Sequence, residues 1–397
     1  MIAYNTTYLR NIAIVKKAKQ WFSHQLISGE QMATILNKYD APFYKPNLFI
    51  KIGLFIFTGV LISAALGFYC LFAYTIDHSL NNGFATFTCF LFAIGSFVCL
   101  EIFIKNNKLY NSGIDDALLY SALSFLFSGI SIWVDNYTDN RILLTLIIFL
   151  PFVVMAALRY VDTLVTLAAI LCLYAIFFYS LLNIGTVAKL IMPFALMLFS
   201  VPIYLIARKQ KQNDAYFLWK HCLSVCEAVA LILFYLAGNY FVIRESSIAF
   251  FDMKLEDGQE IPLAFLFYFL TATVPLLYAY YALKTKNKTI LLISLLLITA
   301  SALTFKYYFS LHHPEITLTG AGIIMILIAY FSIRYLKTDK HGITFKEDMN
   351  EDNFLKKNAE ALIIAQSFSA QVTSQHQNDP NSFGGGDFGG GGAGDSF

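Results

Sequence analysis

HCLSVCEAVALILFYLAGNY, residues 221–240, reads as a membrane-crossing helix with one carboxylate, Glu227, set inside it. About 20 apolar residues at 1.5 Å per residue cover the hydrocarbon core of a bilayer. Nine further apolar runs of similar kind occupy residues 52–74, 83–104, 117–134, 142–158, 161–182, 187–207, 261–283, 289–308 and 318–335. The composition agrees, with 57% hydrophobic residues and 14% charged; soluble domains carry about a quarter charged residues. The fold class that follows is all-α: a polytopic membrane helix bundle of about ten transmembrane helices.

Lysine and arginine give the orientation, because they accumulate in cytoplasmic loops. With the N-terminus inside, twenty-two of the 28 fall on the inner side. Only Arg141, Arg244 and Lys254 fall in outer loops, while Lys51, Lys189 and Lys306 lie at span ends. The alternation holds through all ten spans and predicts a multi-pass protein of the cell membrane, of the bacterial inner-membrane type, with both termini cytoplasmic. The first 47 residues are mixed and polar, so the first span is expected to act as an uncleaved signal-anchor. A net charge of +2 gives no reason to expect a nucleic-acid partner. The six cysteines all lie in apolar runs without ligand spacing, which reads as small buried side chains and no metal site. His312, His313 and Glu315 share one short outer loop, where adjacent histidines are a weak metal signal and read as ordinary interfacial residues. The longest outer segment, residues 242–262, is acidic and reads as a solvated loop.

Four regions follow: a helical hairpin at 1–47, the membrane domain at 48–336, a segment with a short amphipathic helix at 337–370, and a flexible Gly/Phe-rich tail at 371–397. In the hairpin, helical spacing predicts a first helix over residues 7–24. Ser28 followed by Gln31 forms a capping box that starts a second helix, with Met32, Ile35, Leu36 and Tyr39 on one face. In the tail, SFGGGDFGGGGAGDSF cannot repay the backbone entropy of folding. Trp21, Leu26 and Ile35 on the hairpin and the terminal Phe397 are the candidate residues for binding a protein partner.

The hairpin and the glycine-bearing first span together resemble the start of the predicted bacterial membrane proteins filed as domain of unknown function 2157. Trp21, Leu26, Ile27, Ser28, Glu30, Gln31, Ile35 and Tyr39 carry the resemblance, over about 70 residues. It implies a polytopic membrane protein and no reaction. The exit of the first span, GFYCLFAYTID, lacks the Asn-Trp pair expected of that family. The Gly-rich end with its final aromatic residue is similar to the tails of TPM-type membrane proteins.

Glu227 is the sharpest chemical feature. It lies about 9 Å into its span, and a charge deep in hydrocarbon costs about 3 kcal/mol. Ser224 shares its face, and Glu101, Lys51, Asp115, Asp116 and Asp162 fall in the same inner leaflet. Local spacing offers ion pairs of Arg159 with Asp162 and of Lys105 with Glu101. Glu227, Glu101, Lys51 and Ser224 form a candidate intramembrane polar site, with Glu227 as a proton or cation group. The structural alternative is a single interhelical hydrogen bond made by Glu227. No Walker loop, dinucleotide-binding glycine motif, HExxH or GxSxG is present, so no enzyme activity and no cofactor are expected. The resulting expectation is a non-enzymatic integral membrane protein whose cytoplasmic ends contact partners. A secondary transporter of a small solute or cation, coupled through Glu227, is the alternative.

Overall fold

The computed structural model describes residues 2–44, 46–76, 81–135, 141–251 and 260–308, together with Ile323, Ile326, Tyr330 and Arg334. The hairpin consists of α1 (Thr6–Ser23) and α2 (Gly29–Lys38). The membrane helices begin with α3 (Leu48–Ile76), α4 (Asn82–Asn107), α5 (Ile114–Asp135) and α6 (Arg141–Tyr160). They continue with α7 (Thr163–Leu182), α8 (Thr186–Gln212) and α9 (Lys220–Leu236), the last preceded by a 3-10 helix at Asp214–Trp219. A short helix, α10 (Tyr240–Phe251), precedes α11 (Ala264–Thr285) and α12 (Lys288–Tyr308). No strand occurs among the described residues.

Nine of the described helices are long and apolar enough to cross a bilayer: α3 to α9, α11 and α12. They correspond to the first nine runs read from the sequence, so the chain is an all-α, multi-pass membrane helix bundle. Of the tenth run only Ile323, Ile326, Tyr330 and Arg334 are described, each of them helical. The 337–370 segment, the tail with Phe397, and His312, His313 and Glu315 lie outside the described residues.

The acidic segment 242–262 differs from its reading as a loop, because its first half is α10. Asn239 caps that helix by accepting the Val242 N–H, and the Tyr240 N–H donates to Thr271 on α11. At 12 residues α10 is about 18 Å long, too short to span.

Two buried clusters hold the bundle. The first joins α4 to α7 through Leu100, Leu119, Val134, Val153, Tyr160 and Val165. The second joins α9, α11 and α12 through Leu231, Tyr235, Val274, Ile290 and Leu297. Ile170 and Tyr174 of α7 pack with Val229 of α9 and link the halves. Between membrane helices, close packing replaces the hydrophobic effect and favours small residues at contacts. Gly129 of α5 is such a contact, where a Cβ would meet Cys89 of α4 at 3.1 Å. By contrast α3 lies at the edge of the bundle and packs mainly on α5.

The hairpin is fastened to one end of the bundle. The Ala3 N–H donates to the Arg159 carbonyl at the end of α6, and Tyr44 pairs with the 108–109 segment between α4 and α5. Tyr4 is buried edge-on against Tyr110 at 5.0 Å, with Phe43 beside both. Burial, with Asp115 the next contributor, pushes both the Tyr4 and Tyr110 phenols above their usual range. Both therefore stay neutral. The capping box closes as its spacing predicts: Ser28 accepts the Gln31 N–H while the Gln31 side chain accepts the Ser28 N–H.

Candidate functional site

Glu227, Glu101, Lys51, Asp115, Asp116 and Asp162 all sit at the end of the bundle that carries the hairpin. They do not form one cluster. Glu227, Glu101, Lys51, Asp116 and Asp162 each meet a partner on a neighbouring element, and Asp115 is bound within the turn that opens its own helix.

Glu227 is 1% exposed and accepts a 2.9 Å hydrogen bond from Lys211 Nζ, a group 28% exposed. Apolar periodicity ends at residue 207 and places Lys211 in the loop beyond it. Lys211 instead belongs to α8, which continues five residues past the predicted end of its span before the 3-10 helix turns the chain into α9. The turn brings the last residues of α8 alongside the first two turns of α9. A long lysine stem then carries the ammonium group to the buried carboxylate while its methylenes cover apolar surface. Ser224 donates to the Lys220 carbonyl of its own helix, a local bond that leaves it out of the pair.

Glu101, near the end of α4, meets Arg159, near the end of α6, in a two-point contact. Nε donates to Oε1 and a terminal nitrogen donates to Oε2, both at 2.8 Å. Tyr160 donates its hydroxyl to the same Oε1 at 2.6 Å. The fork of the guanidinium matches the carboxylate, which gives this pair defined geometry as well as charge. The sequence-local partners go unused here. Val161 takes a left-handed conformation, with φ of 53°, and ends α6. Asp162 then caps α7 by accepting the Val165 N–H, and its other oxygen accepts the Tyr120 hydroxyl. A cap satisfies an orphan amide at a helix start, so Asp162 is committed there.

Lys51, on the first turn of α3, is paired with Asp116 of α5 at 2.8 Å and also donates to Asn111. Asp115, next to it, is buried and accepts from the Asn111 and Ser112 amides and from the Ser112 hydroxyl. Three donors on one carboxylate fix the turn that opens α5. Gly113 sits inside this turn with φ of 96°, and a Cβ there would collide with the Lys51 carbonyl. Glycine is thus required twice, by conformation and by close approach.

The partner-binding candidates fall differently. Trp21 is 46% exposed and Leu26 57%, with Phe22 exposed between them. Ile35 is half-buried on the inner side of α2. Trp21, Phe22 and Leu26 lie about the turn between α1 and α2, at the far end of α1 from the fastened Tyr4, whereas Ile35 is in the second half of α2.

Sequence reading missed a neutral network at the opposite end of the bundle. Asn239 donates to Tyr235 at 2.8 Å and to Thr304 of α12 at 3.2 Å. Ser301 of α12 donates to the Thr271 carbonyl of α11 at 2.9 Å. All five side chains are buried. Only Asn239, beside Gly238 at the end of an apolar run, marked the place in the sequence. No group of three or more metal-ligating side chains occurs among the described residues.

The carboxylates at the hairpin end therefore each hold a donor, an arrangement suited to locking helix ends together. Comparison with family models, curated proteins and solved structures gives no match to this chain.

Proposed function

We propose that this chain is a non-enzymatic membrane protein whose helix bundle fixes the hairpin at the membrane surface, where its tip contacts a protein partner. The observation that carries this reading is the contrast within the hairpin. Its base is bonded to the bundle at Ala3 and Tyr44 and packed on it through Tyr4, while Trp21, Phe22 and Leu26 at its tip are left exposed. Exposed aromatic and aliphatic side chains on a held, water-facing element mark interaction sites. The excess of lysine and arginine on the hairpin side supports a cell-membrane setting with both termini in the cytoplasm. Pairing of Glu227 with Lys211 favours this reading over a transporter coupled through Glu227, which needs that carboxylate open to water.

The test is site-specific photo-crosslinking in intact cells, with a photoreactive residue in place of Trp21 or Leu26 and a control in place of lipid-exposed Phe57. The expected result is a discrete protein adduct at the two hairpin positions and none at Phe57. Adducts to lipid alone at all three positions would overturn the proposal. Labelling a Ser28→Cys variant with a membrane-impermeant maleimide checks the orientation. Protection in sealed cells and reaction after lysis are expected.

A further inference from the structure

The polar groups already described leave one recess of the bundle without an occupant. Helices α6 and α9 both pack on α7 but stand apart from each other. The gap is a cleft of about 390 Å3, within the range of small-molecule sites. Its floor is Thr166, Ala169 and Ile170 of α7, and its lining is almost wholly apolar. Val154 and Leu158 of α6 form one wall and are themselves exposed, so the cleft is continuous with the lipid-facing surface of the bundle.

At the hairpin end the cleft is roofed. The Trp219 indole N–H donates to the Leu158 carbonyl at 3.2 Å, bridging from the 3-10 helix to α6. That carbonyl lies in the last turn of α6, where no intrahelical donor reaches it. Tyr216 stands beside Trp219 in the same rim. Paired aromatics of this kind settle at the headgroup level of a bilayer.

Two cations adjoin rim residues along the chain. Lys209 adjoins Gln210, which lines the cleft, and Lys209 makes no ion pair among the described residues. Lys220 adjoins Trp219; its ammonium group lies over Phe217 and reaches Asp214 only at 3.6 Å, a fully solvated carboxylate. Lys211, between them in sequence, is committed to Glu227. An apolar cleft open to lipid, with an aromatic rim and lysines next to its rim residues, is complementary to an anionic phospholipid.

We propose that the α6–α7–α9 cleft binds an anionic phospholipid of the hairpin-side leaflet. One acyl chain lies between Val154 and Cys226, and the phosphate meets Lys209 and Lys220.

Trp219 reports on the cleft directly. The full chain carrying Trp21→Phe and Trp133→Phe keeps Trp219 as its sole indole. It is reconstituted in phosphatidylcholine nanodiscs containing an equal share of either brominated phosphatidylglycerol or brominated phosphatidylcholine. The proposal expects stronger quenching of Trp219 by the anionic lipid, and loss of that difference in Lys209→Gln/Lys220→Gln. Cys226→Phe, which fills the cleft without touching the lysines, is expected to lower quenching by both lipids. Equal quenching by the two lipids, as an ordinary lipid annulus gives, would overturn it, as would quenching that Cys226→Phe leaves intact. Should the lysine variant fail to fold, the first comparison and the filling variant decide alone.

Discussion

The two ends of this bundle are fastened by different chemistry. At the hairpin end the fasteners are ions: Glu227 with Lys211, Glu101 with Arg159, Lys51 with Asp116. At the opposite end the buried ones are neutral, an amide and hydroxyls on Asn239, Tyr235, Thr304, Thr271 and Ser301, while the ion pair there, Asp135 with Arg141, is largely exposed. The difference follows from what each side chain reaches. Lysine and arginine stems are long enough to keep a charged head near the headgroups while pairing with a carboxylate further in. Asparagine, serine and threonine have no such reach, and they cost little when each donor finds an acceptor. Ionic fastening is therefore the more fragile of the two, since removing a single partner strands a charge.

The largest effect is expected at the turn that organises the ionic end. Gly113→Ala must relieve both a left-handed backbone and a collision with α3, and it should abolish a monodisperse folded peak in detergent chromatography. Next comes the Glu227 pair, where the two ends of one ion pair should behave unequally. Lys211→Met leaves a buried carboxylate unpaired and should cost about 3 kcal/mol. Glu227→Leu leaves a lysine that can turn toward water and should cost less, and thermal melts in detergent rank the two. At the neutral end, Asn239→Leu should cost about 1 kcal/mol, as interhelical hydrogen bonds in membranes do. A cost there equal to that of Lys211→Met would dissolve the distinction between the ends. Smallest is Trp21→Ser at the hairpin tip, expected within about 0.5 kcal/mol of wild type because the side chain is largely exposed. The same substitution should remove the crosslink made from Leu26.

Much of this architecture is legible in the chain, because hydrocarbon imposes long apolar runs that are hard to mistake. The nine described spans and the Ser28 capping box come through directly. Three features do not, each for a reason of geometry. α10 carries Arg244 and Glu245 and so reads as loop, although its helix rests on contacts made by Asn239 and Thr271, far apart in sequence. The partner of Glu101 is set by how α4 and α6 converge, and the left-handed Val161 removes the Arg159–Asp162 alternative that spacing suggested. Lys211 is hidden because apolar periodicity stops at Ala207 while the helix itself runs on to Gln212. Hydropathy marks where the membrane ends, which is not where a helix ends.

Glu227 is joined to Lys211 across the turn between α8 and α9. A double-mutant cycle of Glu227→Leu and Lys211→Met, read as thermal stability of the purified chain in detergent, tests it most directly. Strong coupling is predicted, with both single variants destabilised and the double variant recovered to near wild type. Additive effects, or a Glu227→Leu chain as stable as wild type, would contradict it and return Glu227 to the role of a proton or cation site.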